Sequence, residues 1–300
     1  MKNIKSWIVL TLLLFTISQN SNAKPDDKQG ILHPKGLLWK IEKQGKSVSY
    51  LYGTMHVGNP DITKLSPKVE RAFMQAEHFV MEVLMNSQTK EFMASASFFN
   101  DGRTLKDIMT RLEYKQLRNL LNKRVSISED VFKYMKPWAV MMLLMTPVDQ
   151  HAQKVIALDM LLYQRASNRK LELTGLETAQ EQVAVFESMG MSNQVWMLNR
   201  MIEEIDIADA QFPEMMSAYL DRDLARLMEI QRESMYEDSE IDDQFIYQLL
   251  NVRNVRMAKR MIPILKRGNA FIAIGALHLP GEAGVLYLLE QQGYNVTSIY

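Results

Sequence analysis

The sequence predicts an α/β fold with a central mixed sheet formed by the N- and C-terminal parts, flanked by helices and carrying a largely helical middle insertion. Short apolar runs bounded by turn residues, which are typical of strands, occur near both ends of the 300-residue chain. Between about residues 86 and 266, apolar residues mostly recur at helical spacing. Because no Ser/Gly-rich linker divides the chain, we expect one domain over residues 24–300.

The first 23 residues have the pattern of a secretory signal peptide. Two lysines precede an apolar run over residues 7–17, and Ser-Asn-Ala at 21–23 supplies the small residues that a signal peptidase recognises. The run is short of the roughly 20 residues that a membrane span needs. An uncleaved anchor is the alternative. Cleavage after Ala23 predicts a periplasmic or secreted protein with no stable membrane span.

Charge and cysteine content exclude several classes of function. Lys plus Arg and Asp plus Glu are both 35, so the chain lacks the basic field that a nucleic-acid partner requires. With no cysteine, its stability must come from packing rather than disulfides, and it has no cysteine nucleophile. The absence of a Gly-x-Ser-x-Gly elbow and of a phosphate-binding glycine loop disfavours a serine hydrolase and a nucleotide enzyme.

The N-terminal part of the predicted sheet begins with two strands, over residues 36–42 and 47–52, joined by a Lys-Gln-Gly-Lys turn as a hairpin. Ser66-Pro67 then starts an amphipathic helix through about residue 76, with serine as N-cap and proline in the first turn. Residues 78–84 predict a third strand, apolar except for one carboxylate.

The middle and C-terminal parts predict further elements in the same way. An apolar run at 138–145 is enclosed by prolines and too short to cross a bilayer, which indicates a buried helix. The remaining predictions are a strand and turn at 170–177, a helix from Thr178, mainly helical structure over 192–266, a strand ending at Gly275, a helix over 282–292 and a final strand at 295–300.

The same four-residue pattern, Gly-x-x-His, follows two of the predicted strands. It occurs as Gly53-Thr-Met-His56 and as Gly275-Ala-Leu-His278, each after an apolar run and each followed by a turn glycine. A glycine lets the backbone turn or approach a neighbour closely, which suits a histidine that serves as a ligand. Two structural histidines are the alternative. The repetition predicts that His56 and His278 lie close enough to share one ion.

Glu82 is the single carboxylate in the third apolar strand. Burying an unpaired carboxylate is costly, so Glu82 needs a cation, hydrogen-bond donors or solvent at a strand end. A partly exposed edge residue is the alternative. Together, His56, Glu82 and His278 predict a three-ligand metal site that leaves positions open for water and substrate. These nitrogen and oxygen ligands suit Zn, Mn, Co or Fe and do not choose among them.

Several stretches together resemble the TraB/GumN family, which is related to the TIKI metalloproteases. They are LLWKIEK followed by SYLYGTMHVG, then FVMEV, LTGLETAQEQ, NVRNVRMAKRM and FIAIGALHLPGEAGVLYLLEQQGYNV, and the resemblance runs from about residue 37 to 300. It implies a fold shared with erythromycin esterases and ChaN-like haem-binding proteins. It also implies a metal-dependent hydrolase, with Mn or Co favoured in the TIKI branch, and matches the two Gly-x-x-His elements and Glu82 to family positions.

The resemblance singles out two further residues. Glu177 matches the Leu-Glu-Thr element at a strand-to-helix junction, where it would act as the general base or as a fourth metal ligand. The alternative is a carboxylate favoured by the start of a helix. Arg253 matches an Arg-Asn pair and would clamp a substrate carboxylate or stabilise an oxyanion. An arginine on the helix surface is its alternative.

The predicted function is a metal-dependent hydrolase, best described as a peptidase, in which a divalent metal (Mn, Co or Zn) activates water to attack a peptide bond. The alternative is a non-catalytic binding protein that captures a peptide or haem in the same cleft. The 22 methionines suggest copper handling, but most lie in apolar helical runs where methionine fills a core. His151, a lone histidine in a predicted loop, is interpreted as structural. The substrate and oligomeric state stay open.

Overall fold

The structure is a computed structural model, and it describes residues 30–125, 127–145, 156–235 and 239–300. The predicted signal peptide, residues 1–23, and His151 lie outside the described residues. Within the described ranges, no helix combines the length and the hydrophobicity that crossing a membrane requires.

The described residues form one six-stranded mixed sheet, which confirms the predicted fold class. The N-terminal hairpin pairs with both C-terminal strands, because β1 runs antiparallel to β6 and β2 runs parallel to β5. The sheet order is β4-β3-β5-β2-β1-β6, and the four strands on the β4 side are mutually parallel. The strands are β1 (Leu38–Glu42), β2 (Ser49–Thr54), β3 (His78–Met81), β4 (Glu172–Gly175), β5 (Ala270–Gly275) and β6 (Asn295–Ser298).

The helices begin where the sequence supplies caps. The Ser66 side chain accepts from the Val69 N–H with proline in the first turn, as predicted, and Thr178 forms a capping box with Glu181. The α-helices are α1 (Pro60–Thr63), α2 (Pro67–Gln75), α3 (Ser87–Ala96), α4 (Arg111–Arg124), α5 (Glu129–Phe132), α6 (Pro137–Leu144), α7 (Leu158–Asn168), α8 (Ala179–Glu187), α9 (Gly190–Leu220), α10 (Leu224–Glu233), α11 (Glu240–Ile246), α12 (Arg253–Arg267) and α13 (Val285–Gln291). Short 3-10 helices cover Leu105–Asp107 and Ala276–His278, and a π-helix covers Tyr247–Val252.

Two hydrophobic cores divide the described residues. The sheet core packs β-strand residues such as Phe79 and Phe271 against α2, α12 and α13. The helical core is built largely from α4, α6, α8 and α9, with Trp138 stacked on Phe186 at 5.5 Å between ring centroids. The predicted buried helix is α6, in which seven of eight residues are buried. The helical insertion therefore has a core of its own beside the sheet.

Several predicted boundaries differ from the structure, and two of the differences lie near Glu82 and His278. The last helix begins at Val285 rather than 282, because Gly281 has a φ of +82° and its N–H bonds to the Leu32 carbonyl. The third strand ends at Met81 instead of continuing to residue 84. Each of these two differences shortens an element near a predicted site residue, where the chain leaves regular structure.

Candidate functional site

The carboxyl ends of four adjacent parallel strands bring the predicted site residues to one edge of the sheet. In parallel sheets this edge is where ligands commonly bind, because the connections there diverge and leave a crevice. In sheet order β4, β3, β5 and β2, the residues that follow the strands are Glu177, Glu82, His278 and His56. The strand topology therefore collects residues that are far apart in the chain.

His56, Glu82 and His278 converge on the space over Gly275. A Cβ atom placed on Gly275 would lie 3.3 Å from Glu82 Oε1, 3.4 Å from His278 Cδ2 and 3.8 Å from His56 Nε2. His278 Nε2 is 3.8 Å from Glu82 Oε1. The structure thus brings together the three residues that the sequence predicts as ligands.

Both glycines of the Gly-x-x-His elements are explained by close approach. A Cβ on Gly53 would lie 2.7 Å from Leu279 Cδ1 and 3.1 Å from the Ala276 Cα, so a side chain there would push away the turn that carries His278. A Cβ on Gly275 would enter the space that the three candidate ligands share. Both glycines keep this edge of the sheet open at the points where the two elements meet.

In each of the two histidines, the ring nitrogen Nδ1 lies close to a side-chain oxygen. His56 Nδ1 lies 2.8 Å from Asp159 Oδ1 at the start of α7. His278 Nδ1 is 2.6 Å from Asn254 Oδ1, while the Asn254 amide group donates to the Ala283 carbonyl at 2.8 Å. Since that amide oxygen can only accept, His278 Nδ1 carries the hydrogen and Nε2 keeps its lone pair. A contact of this kind at the second ring nitrogen is typical of metal-ligating histidines.

The Glu82 carboxylate is buried, and both of its oxygens accept hydrogen bonds. Oε1 accepts from the Gly275 N–H at 2.7 Å, and Oε2 accepts from Arg253 Nη2 at 2.6 Å and Gln182 Nε2 at 3.3 Å. Burial raises the pKa of Glu82, but Arg253, the two histidines and the Gly275 N–H outweigh it and lower that pKa below its usual range. Glu82 is therefore a charged carboxylate.

Glu177 and Arg253 form a buried ion pair directly behind Glu82. Arg253 Nε donates to Glu177 Oε2 at 2.8 Å, and Arg256 Nη1 donates to Glu177 Oε1 at 2.9 Å. The Glu177 side chain is 0% exposed and that of Arg253 is 1% exposed. One guanidinium thus bridges two carboxylates, which compensates for the cost of burying them.

The two histidines have opposite pKa shifts. Burial lowers the pKa of His56, but the charge and contact of Asp159, together with Glu82, raise it to about 9. Burial lowers the pKa of His278 to about 3, and the positive charges of Arg253 and His56 add to this against the attraction of Glu82. Without a bound cation, His56 is therefore the protonated imidazole and His278 the neutral one.

The chemical types of the three donor groups suit a divalent metal. Two imidazole nitrogens and a carboxylate oxygen face the cradle over Gly275, and this mixture is common at catalytic metal sites. Across the described ranges, however, no group of three or more His, Asp or Glu side chains stands in an arrangement ready to hold a metal ion. Metal binding would therefore require these side chains to draw closer together.

A pocket opens beside this cluster, between the sheet core and the helical core. Its empty space is about 1240 Å³, counting the part open to solvent. Its lining includes Thr54, His56, Arg253, Gly275 and His278, and most of the other lining residues are apolar. The cluster therefore borders a largely apolar pocket that is open to solvent, as ligand sites commonly are.

Asp159 is a candidate site residue that the sequence analysis did not single out. It is 8% exposed, and it follows the apolar run Ile-Ala-Leu at the start of α7. A lone carboxylate in an apolar stretch is the signal that singled out Glu82, and it applies equally here. Asn254 was noted only as the neighbour of Arg253, whereas the structure places its side chain against His278.

Comparisons with known proteins agree with the resemblance. The model of the TraB/PrgY/gumN family matches residues 37–298. The protein named Metalloprotease TIKI1 of Xenopus tropicalis is 24% identical over 327 residues, covering 92% of this chain and 64% of that protein. Metalloprotease TIKI2 of the same frog is 24% identical over 317 residues, covering 86% and 59%. Human Metalloprotease TIKI1 is 24% identical over 348 residues, covering 97% and 68%.

The chain spans only 64% and 59% of the first two of these relatives, so each contains sequence that this chain does not match. No solved structure matches the chain.

Proposed function

This chain belongs to the TraB/PrgY/gumN family, and we propose that it is a metal-dependent hydrolase that cleaves peptide bonds. The observation that carries the proposal is the convergence of His56, Glu82 and His278 over Gly275, beside a large pocket. The relatives named metalloproteases support the same class of reaction.

In this proposal His56, Glu82 and His278 would hold the metal. A divalent ion such as Mn, Co or Zn would supply Lewis-acid polarisation of the scissile carbonyl and a lowered pKa for water. Asp159 and Asn254 hold the two imidazoles in place, because each contacts Nδ1 and leaves Nε2 directed at the shared space.

We assign Glu177 and Arg253 to the support and electrostatics of the site. The sequence predicts Glu177 as a general base or a fourth ligand, but both its carboxylate oxygens accept from arginines. These contacts favour a role in holding Arg253. Arg253 lines the pocket and carries positive charge beside Glu82, where it would favour an oxyanion that develops during hydrolysis.

Metal analysis tests the proposal directly. The purified protein, refilled with Mn, Co or Zn, should retain about one ion per chain by elemental mass spectrometry, and it should cleave a peptide library. His56→Ala and His278→Ala should lose both properties. His78→Ala is the matched control, because His78 pairs with Glu172 and Arg267 on the surface away from the cluster. A wild-type protein without metal, or histidine variants that behave like the control, would overturn the proposal.

A non-catalytic binding protein for a peptide or haem is the second candidate. It is favoured by the largely apolar pocket with histidines in its wall, since haem iron takes histidine and methionine as axial ligands. Incubation with a peptide in the presence of Mn, Co or Zn separates the two classes, because an enzyme should cleave the peptide, whereas a binder should retain it intact. A Soret band on haem addition would identify haem binding.

Export is a further part of the proposal. The apolar run over residues 7–17 lies outside the described residues, so the argument rests on the signal-peptide pattern alone. Mass spectrometry should find an N-terminus following Ala23 in the periplasmic or secreted fraction. Intact N-terminal peptide on cytosolic protein would contradict export.

A further inference from the structure

Methionines are concentrated around the pocket. Of the 22 methionines in the chain, eight line this one cavity. Five of them belong to the helical core or pack against it, and we call these five the methionine wall. The methionine wall consists of Met141, Met142, Met145, Met197 and Met201.

The methionine wall is formed by two helices that face the cavity. Met141 and Met145 are four residues apart at the end of α6, and Met197 and Met201 are four residues apart on α9. This spacing puts each pair on one face of its helix. The sequence pattern indicated core filling, and these side chains both pack in the helical core and line the pocket.

Methionine gives such a wall particular properties. Its unbranched side chain has three rotatable bonds and a polarisable sulfur, so it can fit apolar groups of different shapes. Stiffer residues also occur in the two cores, among them Phe79, Phe271 and Trp138, each at most 1% exposed. A flexible apolar surface beside a rigid core is suited to ligands that vary.

The pocket lining also offers polar groups. Thr54 ends β2 directly across from Gly275 in the strand register. It is 2% exposed, and its Oγ1 has no hydrogen-bond partner within the part of the chain that the structure describes. A buried, unpaired hydroxyl in a pocket wall is available to a polar ligand group. His56 and His278 stand beside it.

The pocket also contains charged residues that compensate one another. Arg200 Nη1 lies 2.5 Å from Asp242 Oδ2, and Arg200 Nε lies 3.6 Å from Glu204 Oε2. These contacts tie the charges to each other, so the apolar wall provides the main attraction for a ligand side chain.

We propose that the methionine wall is the side-chain subsite of the peptidase site and selects peptides with a bulky apolar residue beside the scissile bond. The proposal rests on the proposed function. A peptide fits both parts of this lining, because its backbone would lie along Thr54 and the strand ends while its side chain packs on the methionines. Leucine, phenylalanine and methionine side chains should all be accepted, and glycine or charged residues should be disfavoured.

Binding to metal-free protein tests the subsite apart from any cleavage. The probes are blocked hexapeptides that are identical except for one central residue, which is leucine, phenylalanine, methionine, glycine, aspartate or lysine. By calorimetry, the three apolar peptides should bind at least about tenfold more tightly than the other three. The double variant Met145→Gln, Met197→Gln should reduce this preference to less than about threefold, and the matching double leucine variant should keep it.

Met74→Gln is the matched control, because Met74 is 51% exposed on α2 and does not line the pocket. Equal binding of all peptides, or an unchanged preference in the double glutamine variant, would overturn the subsite. If the protein binds dodecanoate but none of the peptides, the ligand of the methionine wall is an acyl chain, and the peptide subsite is likewise overturned.

A parallel assay with added Mn separates the subsite from the proposed function. Apolar preference without cleavage would support the subsite and contradict the hydrolase. Cleavage without apolar preference would support the hydrolase and contradict the subsite.

Discussion

Asp159 Oδ1 lies 2.8 Å from His56 Nδ1, although the two residues are far apart in the sequence. His56 follows β2, and Asp159 lies in the first turn of α7. A carboxylate at Nδ1 fixes the ring orientation and increases the electron density at Nε2, which faces Gly275. This contact joins α7, which packs in the sheet core, to the sheet edge at the candidate metal centre.

The first prediction concerns this contact. Asp159→Asn keeps the shape of the side chain and removes its charge, so it should lower metal affinity by about 10- to 100-fold, the usual loss for such a partner. Metal affinity is measured by competition with a chromophoric chelator. Asp221→Asn, which changes an exposed aspartate after α9, should leave affinity unchanged. Equal affinities for the two variants would show that Asp159 does not support a metal ligand.

Asn254 supports the second imidazole and provides the second prediction. Asn254→Ala removes the acceptor for His278 Nδ1–H and the donor to the Ala283 carbonyl, both in buried surroundings. The unfolding free energy should fall by about 1–3 kcal/mol, as for a buried polar group left unpaired, and metal affinity should fall with it. Urea denaturation and chelator competition measure the two effects.

Val255→Ala is the control for Asn254→Ala, because Val255 is adjacent on α12 and 58% exposed. It should change the unfolding free energy by less than about 0.5 kcal/mol. A loss of stability in the Asn254 variant with unchanged metal affinity would make Asn254 purely structural.

Local patterns in the sequence predicted most of the sheet and the residues at its edge. Apolar runs marked the strands, Ser66-Pro67 marked a helix start, and lone polar residues at strand ends marked His56, Glu82 and His278. These signals are local, because burial and turn chemistry leave their pattern within a few residues.

The partners of those residues could not be predicted in the same way. Asp159 reaches His56, and Arg253 bridges Glu82 and Glu177, only after the strands have set their order. Such contacts depend on which strands are neighbours, and β5 lies between β2 and β3 without any local mark in the sequence. The position of the methionine wall beside the pocket could not be predicted for a related reason, since apolar periodicity does not distinguish the centre of a core from its border with a cavity.

The third prediction concerns the bridging arginine. Arg253→Met leaves Glu82 and Glu177 buried with their main cation removed. Breaking a buried ion pair in this way costs about 3–5 kcal/mol, so the unfolding free energy should fall by that amount in urea denaturation. Adding Glu177→Gln to Arg253→Met should restore part of the lost unfolding free energy, because a neutral amide then replaces one of the two buried carboxylates.

Arg256→Met gives the comparison for Arg253→Met. Arg256 also contacts Glu177, but its side chain is 28% exposed, and Glu177 keeps its bond to Arg253. Its loss should cost no more than about 1 kcal/mol. Similar costs for the two arginine variants would contradict a special role for the Arg253 bridge.

The last prediction tests the space over Gly275. In Gly275→Ala the new methyl group would lie 3.3 Å from Glu82 Oε1 and 3.4 Å from His278 Cδ2, so both side chains must give way. Overpacking of this kind costs about 1–3 kcal/mol of unfolding free energy. The same methyl group occupies the space in which the three donors would meet a metal. Metal affinity should therefore fall sharply while the protein still folds, as chelator competition and circular dichroism would detect.

Gly30→Ala is the control for Gly275→Ala, since a Cβ on Gly30 meets no atom within 4 Å. It should leave both folding and metal affinity unchanged. If Gly275→Ala folds and binds metal as the Gly30 variant does, the metal must lie elsewhere, because three donors directed at one point cannot share it with a methyl group. The histidine variants would then have to lose metal for another reason, and the candidate centre at the strand ends would be wrong.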